Sequence, residues 1–441
     1  MKTTTLRILL LLLCLCRVET VPGLNAQGPS ATPVLIRAGR LFDSVRGTML
    51  PARDILVRGN IIAEVAPAIT APAGALVIDL RAYTVLPGLI DAHSHLLLEV
   101  EPYASITTDV VAEGEVARAL RGAGHARTYL DAGFTTVRDL GNAGLFADIA
   151  LKRAIADGSL PGPRLYVSGP GLSAAGGQIE GPAAELAAAA AIEYRIIQNV
   201  DDARTAVREH VARGADLIKV YADQRPKPVV LSVAELRAIV DEAHRLGVRV
   251  TAHATGDASA ARAIEAGVDS IEHGYELSAT TLARLRERGI AVVPTFTDLD
   301  TMVIGARARA RAPQPLTKPP AEQVASALAD YRQRLRRLFD SGVRVAAGSD
   351  MYWNVGLPRG VAAKRVLFAY EQTGIEPVRI LQAATISAAV VIGEPRLGVI
   401  EPGAWADLIA VDGNPLEALA AIERVTFVMK SGKVHLPGPK P

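Results

Sequence analysis

The sequence predicts an α/β protein: a (β/α)8 TIM barrel with a small β-sandwich domain formed by both chain ends. Three observations predict it. Between residues 83 and 397, eight strand-like segments alternate with helical runs, the rhythm of parallel βα units. Both flanks, 33–82 and 398–437, carry short alternating apolar stretches broken by Gly and Asn, which read as strands and turns. Polar side chains able to do chemistry stand at the ends of several central strands, where such a barrel keeps its reactive groups. A doubly wound open sheet is the structural alternative.

The elements follow in order. Lys2 and Arg7 precede an apolar run from Ile8 to Cys16, and Leu24-Asn25-Ala26 offers a small-residue ending. The run is too short to span a membrane, so residues 1–26 read as a secretory signal peptide. The expected location is periplasmic or secreted, with no membrane attachment after cleavage; an uncleaved anchor is the alternative. Cys14 and Cys16 are the two cysteines of the chain. The mature chain would then have none, which excludes disulfides, thiolate ligands and cysteine nucleophiles.

The N-terminal flank reads VLIRAGRLFD, DILVRGNIIAEVAP and ALVIDLRAYTVLPG; the C-terminal flank reads GVIEPGAWADLIAVDGNPL and VTFVMKSGKVH. Their matching character predicts pairing into one composite β domain. The first barrel strand lies in LPGLIDAHSHLLLE (86–99). The next are FTTVRDL (134–140), RLYVSG (164–169), DLIKVYAD (216–223), VRVTAHAT (248–255), SIEHG (270–274), AVVPTFT (291–297) and VRVAAGSD (343–350). SVAELRAIVDEAHRLG (232–247) is a helix with Ser232 as N-cap and Gly247 as stop. Residues 301–321 hold Arg307, Arg309, Arg311 and Lys318 and no acid; a lid, a solvated loop or a subunit contact would each suit them. With 48 basic against 46 acidic side chains, the chain lacks the basic excess of a nucleic-acid binder.

His93 and His95 are two apart on one strand and so share a face. Neutral imidazoles are standard zinc ligands, yet an isolated His-x-His pair decides nothing. His253, His273 and Asp350 fall at the ends of later strands; in a barrel these five groups face one mouth, which predicts a metal site. His125, His210, His244 and His435 fall in helix-like or tail segments and read as surface residues. Lys219 lies at the end of an apolar strand on the same mouth. A buried ammonium beside a metal is costly. Either it turns outward, or it has reacted with carbon dioxide to give a carbamate, an anion able to bridge two divalent ions.

The set His93, His95, Lys219, His253, His273 and Asp350 resembles the amidohydrolase superfamily in its two-metal form with a carboxylated lysine. PGLIDAHSHL, AGFTTVRDLG, LIKVY, TAHATG, SIEHG, AAGSD and GAWADLIAVDGNPL match that pattern. The resemblance covers nearly all of residues 33–437 and is nearest to the imidazolonepropionase-related branch, which includes Xaa-Pro-type dipeptidases and ochratoxin-hydrolysing enzymes. It implies that His93, His95 and Asp350 hold a more buried metal and His253 and His273 a more exposed one. Carboxylated Lys219 and a hydroxide would bridge them, with zinc the expected metal. Two divalent ions less three anionic charges leave a net of about +1, suited to a developing oxyanion. The bridging hydroxide would attack an amide carbonyl, with Asp350 passing its proton to the leaving amine.

The implied substrate is a small-molecule amide: a dipeptide or N-acyl amino acid, ochratoxin A included. Tyr221 shares the face of Lys219 and is a candidate donor to substrate; a packed barrel tyrosine is the other reading. Many members of the branch carry a histidine in the loop after strand three, where GPGLSAAGGQIEGP places Gln178. Gln178 is the candidate substrate contact there, and it cannot act as an acid. The resemblance also implies a homo-oligomer, with an octamer among the candidate assemblies. Hydrolysis of a cyclic amide or lactone is the alternative reaction, and a non-catalytic metal-binding barrel is the alternative of another class.

Overall fold

The computed structural model describes residues 32–101, 113–141, 143–178, 188, 190–224, 229–298, 301 and 321–438. The signal-peptide reading of 1–26, and the basic segment 301–321 except its first and last residues, lie outside the described residues.

The strands in chain order begin with β1 (Val34–Asp43), β2 (Thr48–Leu50), β3 (Arg53–Arg58), β4 (Ile61–Ala66) and β5 (Leu76–Pro87). Then come β6 (Leu89–Ser94), β7 (Phe134–Asp139), β8 (Arg164–Val167), β9 (Gly171–Ser173), β10 (Tyr194–Ile196) and β11 (Leu217–Tyr221). β12 (Arg249–Gly256), β13 (Ser270–Glu276), β14 (Ala291–Val293), β15 (Leu408–Val411), β16 (Val425–Lys430) and β17 (Lys433–Pro437) complete the set.

The two ends of the chain meet in one eight-stranded sheet, in the order β17-β16-β15-β5-β1-β3-β4 with β2 on β1. β5 is the seam: it runs parallel to β1 and antiparallel to β15, with Pro87 opposite Leu408. The β4 edge meets residues 404–406, where Ile62 N donates to Ala404 O and Ala406 N to Asn60 O. Ile36, Ile55, Val57, Val85, Ala406, Leu408 and Phe427 form an apolar core along this sheet. All eight described strands of the chain ends belong to this one hydrogen-bonded sheet.

The rest is a TIM-barrel-type α/β fold, with two parallel sheets, β6-β7-β8 and β10-β9-β11-β12-β13-β14. Their strands are continuous buried runs such as LIKVY, the signature of strands covered on both faces. Helices intervene as their stop and start signals require. Ser232 caps Val233–Arg245, accepting from Glu235 N while the Glu235 side chain returns to the Ser232 backbone. The Asn199 side chain caps Val200–Arg213, and Gly214 ends it at φ 111°.

Three segments depart from expectation, one of them β9, which forms within the loop expected after strand three. VRVAAGSD (343–350) forms no regular strand; Val345 makes one isolated bridge to Val292. Its backbone divides between two neighbours: Ala346 N donates to Val292 O, Ala92 N to Ala347 O, and Asp350 N to His93 O. Gly348 sits against His93, and Asp350 turns to φ 49°, so the strand pattern ends in a bend. Tyr194–Ile196 adds β10, a short parallel strand beside β9 that the strand pattern did not predict. No described helix is long and apolar enough to cross a membrane.

Candidate metal centre

Strand geometry brings the predicted groups together. β6 ends in His93-Ser94, followed by His95, and both histidines are buried. The parallel register sets Lys219 opposite Thr251, Tyr221 opposite His253, and His253 opposite Glu272. Ring centroids are 5.3 Å apart for His93 and His95, 5.1 Å for His93 and His273, and 4.4 Å for His253 and His273. Asp350 Oδ1 lies 3.1 Å from His95 Nε2 and 3.4 Å from His93 Nε2. Ligand atoms of His93, His273 and Asp350 all fall within 4.8 Å of one another.

Each histidine has one ring nitrogen held from outside the cluster. His93 Nδ1 meets Glu272 Oε2 at 2.6 Å, and His95 Nδ1 meets Gly141 O at 2.8 Å. His253 Nε2 meets Asp223 Oδ1 at 3.0 Å. His273 Nδ1 lies 2.8 Å from Thr295 Oγ1 and 3.1 Å from the Tyr275 hydroxyl. A neutral imidazole pinned at one nitrogen offers its lone pair at the other, the outer-shell arrangement typical of metal-binding histidines.

Protonation states agree. Burial, then the charge of Lys219, holds His93 well below its ordinary pKa. Burial, then His253 and His93, does the same for His273. Burial also lowers His253. His95 is the exception: burial opposes its charge, but its bond to Asp350 and that carboxylate's charge prevail and raise it. Burial alone would raise Asp350, yet His93, His95 and Lys219 together hold it below the usual carboxylate range. Neutral imidazoles beside an ionised carboxylate are the forms a divalent ion needs. The donor set therefore fits a divalent metal.

Lys219 is 1% exposed. Burial pulls its ammonium down to about 8, against the opposing pull of Glu272 and Asp350. The outward-turned reading is thereby excluded. Tyr221 is packed, with its ring 5.2 Å from His253, 5.3 Å from Tyr194 and 5.5 Å from Lys219 Nζ. The Gln178 side-chain amide lies 3.1 Å from His253 Nε2. The structure thus places Gln178 against a histidine of the cluster.

Several residues of the centre were not predicted. Glu272 is buried between His93 and Arg138, whose Nη2 donates to Oε1 at 2.6 Å. Asp223 Oδ1 faces His253 Nε2 at 3.0 Å, and its Oδ2 accepts from Thr255 N at 2.7 Å; the pull of His253 and these contacts outweigh burial and keep its carboxyl well below the usual range. Four described non-glycine residues have a left-handed backbone, and three are here: His273 at φ 73°, Thr295 at 49° and Asp350 at 49°. For a β-branched Thr that is a strained conformation, and such strain concentrates at functional sites. Conversely, His210 is not a surface residue: it is buried, with Nδ1 2.7 Å from Ala206 O and Nε2 2.8 Å from Pro170 O.

The chain resembles known proteins along most of its length. Ochratoxinase from Aspergillus niger is 30% identical over 382 residues, covering 80% of this chain and 76% of the relative. Its crystal structure superposes with a TM-score of 0.78 at 28% identity, over 92% of this chain and 96% of that one. The crystal structure of a Xaa-Pro dipeptidase with methionine bound in its active site gives a TM-score of 0.78 at 29% identity, over 92% and 100% of the two chains. Imidazolonepropionase from Symbiobacterium thermophilum is 30% identical over 411 residues, 85% of this chain and 86% of the relative. The model of the amidohydrolase family matches residues 84–435. The chain belongs to the amidohydrolase family, and it is a hydrolase acting on amide bonds.

Proposed function

We propose that the enzyme holds two divalent ions, zinc being the expected metal, and cleaves the amide that joins an acyl group to a C-terminal amino acid. The observation that carries this reading is the clustering of four histidines and Asp350 beside a buried lysine. His93, His95 and Asp350 would hold one ion, and His253 and His273 the other. When bound, such a pair supplies an activated water and polarises the scissile carbonyl.

The chain's own residues supply the rest. The Lys219 pKa of about 8 leaves a usable fraction of neutral amine near neutrality. Its Nζ lone pair attacks the carbon of carbon dioxide, one proton leaves Nζ, and the product is an anionic carbamate suited to bridging two cations. The Asp350 carboxyl is held below the usual carboxylate range, so its carboxylate can take a proton from water and pass it to the leaving nitrogen. The Tyr221 hydroxyl would donate to the substrate carbonyl or carboxylate, and Gln178 would contact substrate from beside His253. The relative named ochratoxinase, and the neighbour named a Xaa-Pro dipeptidase with methionine in its active site, support a substrate ending in a free amino acid.

We read the scaffold as a closed ring of eight segments. Support comes from β9 following β8 across a short break and pairing with β11, and from segment 343–350 bonding to both β14 and β6. Lys2, Arg7 and the apolar run after them support export.

Metal analysis tests the centre: about two divalent ions per chain are expected, and Lys219→Ala should lose them. Full metal content and activity in Lys219→Ala would sink the carbamate. A panel of dipeptides, N-acyl amino acids, cyclic amides and lactones tests the reaction. Turnover confined to the cyclic compounds would overturn the substrate class.

A further inference from the structure

Asp91, two residues before His93, is 2% exposed, and both of its oxygens are engaged. Oδ1 accepts from His93 N at 3.1 Å and from Ser349 N at 2.9 Å; Oδ2 accepts from Ser349 Oγ at 2.5 Å. Ser349 Oγ in turn accepts from Met351 N at 3.2 Å. Asp350 is therefore bracketed, since the residue on either side of it is fixed through one hydroxyl. Asp350 N donates to His93 O at 2.7 Å. Tyr129 closes the network from below, its hydroxyl 2.8 Å from Ser94 Oγ and 3.3 Å from Ser349 Oγ.

Asp350 needs this support. Its φ of 49° is a conformation that a non-glycine residue keeps only where its surroundings impose it. A free segment would relax toward an ordinary extended backbone and swing the carboxylate away from the histidines. The bonds of Asp91 run to the His93 peptide and to the backbone N–H and hydroxyl of Ser349. They join the two stretches of backbone that carry His93 and Asp350.

We propose that Asp91 is a positioning residue of the metal centre. Through Ser349 it holds Asp350 in its left-handed geometry and in register with His93, so that both side chains reach one ion. The inference rests on the reading of His93 and Asp350 as ligands. It differs from a purely stabilising buried acid in what it predicts for the metal.

The test uses the full chain. Zinc affinity is measured by competition with a chromophoric chelator, the visible spectrum is recorded on the cobalt-substituted protein, and thermal melting reports the fold. Asp91→Ala should weaken zinc binding by about 10–100-fold and alter the cobalt spectrum. Asp91→Asn retains one acceptor oxygen for His93 N and Ser349 N, and should recover affinity to within a few-fold. Ser349→Ala removes only the hydroxyl links and should give an intermediate, several-fold loss; it keeps the test decisive if Asp91→Ala does not fold. Asp407→Asn, a change to a buried acid beside the eight-stranded sheet, should leave zinc affinity unchanged. Lower melting temperatures in Asp91→Ala and Ser349→Ala with wild-type affinity and spectrum would reduce Asp91 to a structural role and overturn the inference. A wild-type protein that binds no divalent ion would instead overturn the ligand reading itself, and the inference with it.

Discussion

His93 Nδ1 and Glu272 Oε2 lie 2.6 Å apart in a place closed to water. The carboxylate does two jobs there. It sets the tautomer of His93, freeing Nε2 for the cluster, and it neutralises Arg138, buried at 2% exposure. Glu272→Gln should weaken metal binding by about 10–100-fold. It should also destabilise the fold by roughly 3 kcal/mol, because Arg138 loses its buried counter-charge. Chelator competition and denaturant melts measure the two effects separately; an unchanged affinity would remove Glu272 from the centre.

Thr295 holds His273 Nδ1 at the expense of a strained backbone. Thr295→Asn relieves the strain, since Asn tolerates φ near 49°, and should raise stability by about 1 kcal/mol. The β-hydroxyl contact is lost, so turnover should fall. Thr295→Val keeps the strain and loses the hydroxyl, and should fall in both respects. If Thr295→Asn melts lower than the natural protein, the strain is not real.

Gly348 is where the eighth segment touches the first. A methyl group there would come within 2.4 Å of Val293 Cγ1, 2.7 Å of His93 Cβ and 2.9 Å of His93 N. A backbone atom cannot step aside as a flexible side chain can. Gly348→Ala should cost about 1–3 kcal/mol and displace His93, lowering metal content. A fully loaded, equally stable Gly348→Ala protein would contradict this packing.

Asp148 gives a signed pH dependence. Burial pushes its carboxyl up to about 6 from an ordinary 3.8. Below pH 3.8 both folded and unfolded chains hold the proton. Between 3.8 and 6 only the folded chain holds it, so its contribution to stability falls as pH rises through that window. The size is on the order of 2–3 kcal/mol, because each pH unit of that window is worth about 1.4 kcal/mol. Asp148→Asn keeps an acceptor for Gly169 N, 2.8 Å away, and cannot ionise. Its stability relative to the natural protein should therefore climb between about pH 4 and 6 and then level off. Denaturant melts at about pH 4, 5 and 6.5 would show it; a flat difference would refute the assignment.

The clustering of the candidate ligands was legible because each is a chemically expressive residue ending an apolar strand-like run. Glu272 and Arg138 carried the same signal as Lys219, a charge inside a strand-like run, SIEHG and FTTVRDL, and could have been read the same way. His210 follows Ala203, Ala206 and Val207 on the buried face of its helix, so its burial was also present as a periodicity. The left-handed turn at Thr295 was not legible, since a β-branched residue argues against a positive φ, and Asp350 gave only the weak signal that Asp enters this region more often than most residues. The pairing of the two chain ends was legible in their matching strand character, but the closure of their sheet was not. Strand patterns specify elements, whereas the way one sheet closes on itself depends on contacts between β4 and residues 404–406.

β5 is paired on one side by β1 and on the other by β15, which is made more than 300 residues later. During synthesis its β15 side stays an open edge until the end of the chain emerges. Pro87 ends β5 two residues before β6 begins, and β6 leads directly to His93. The first candidate ligands thus follow directly on a strand whose second edge is covered by residues far along the chain. A ribosome that stops before residue 408 releases a chain with an exposed sheet edge, a template for aggregation. The strand that leads into the first histidines therefore depends for its second neighbour on residues 408–411, far along the chain.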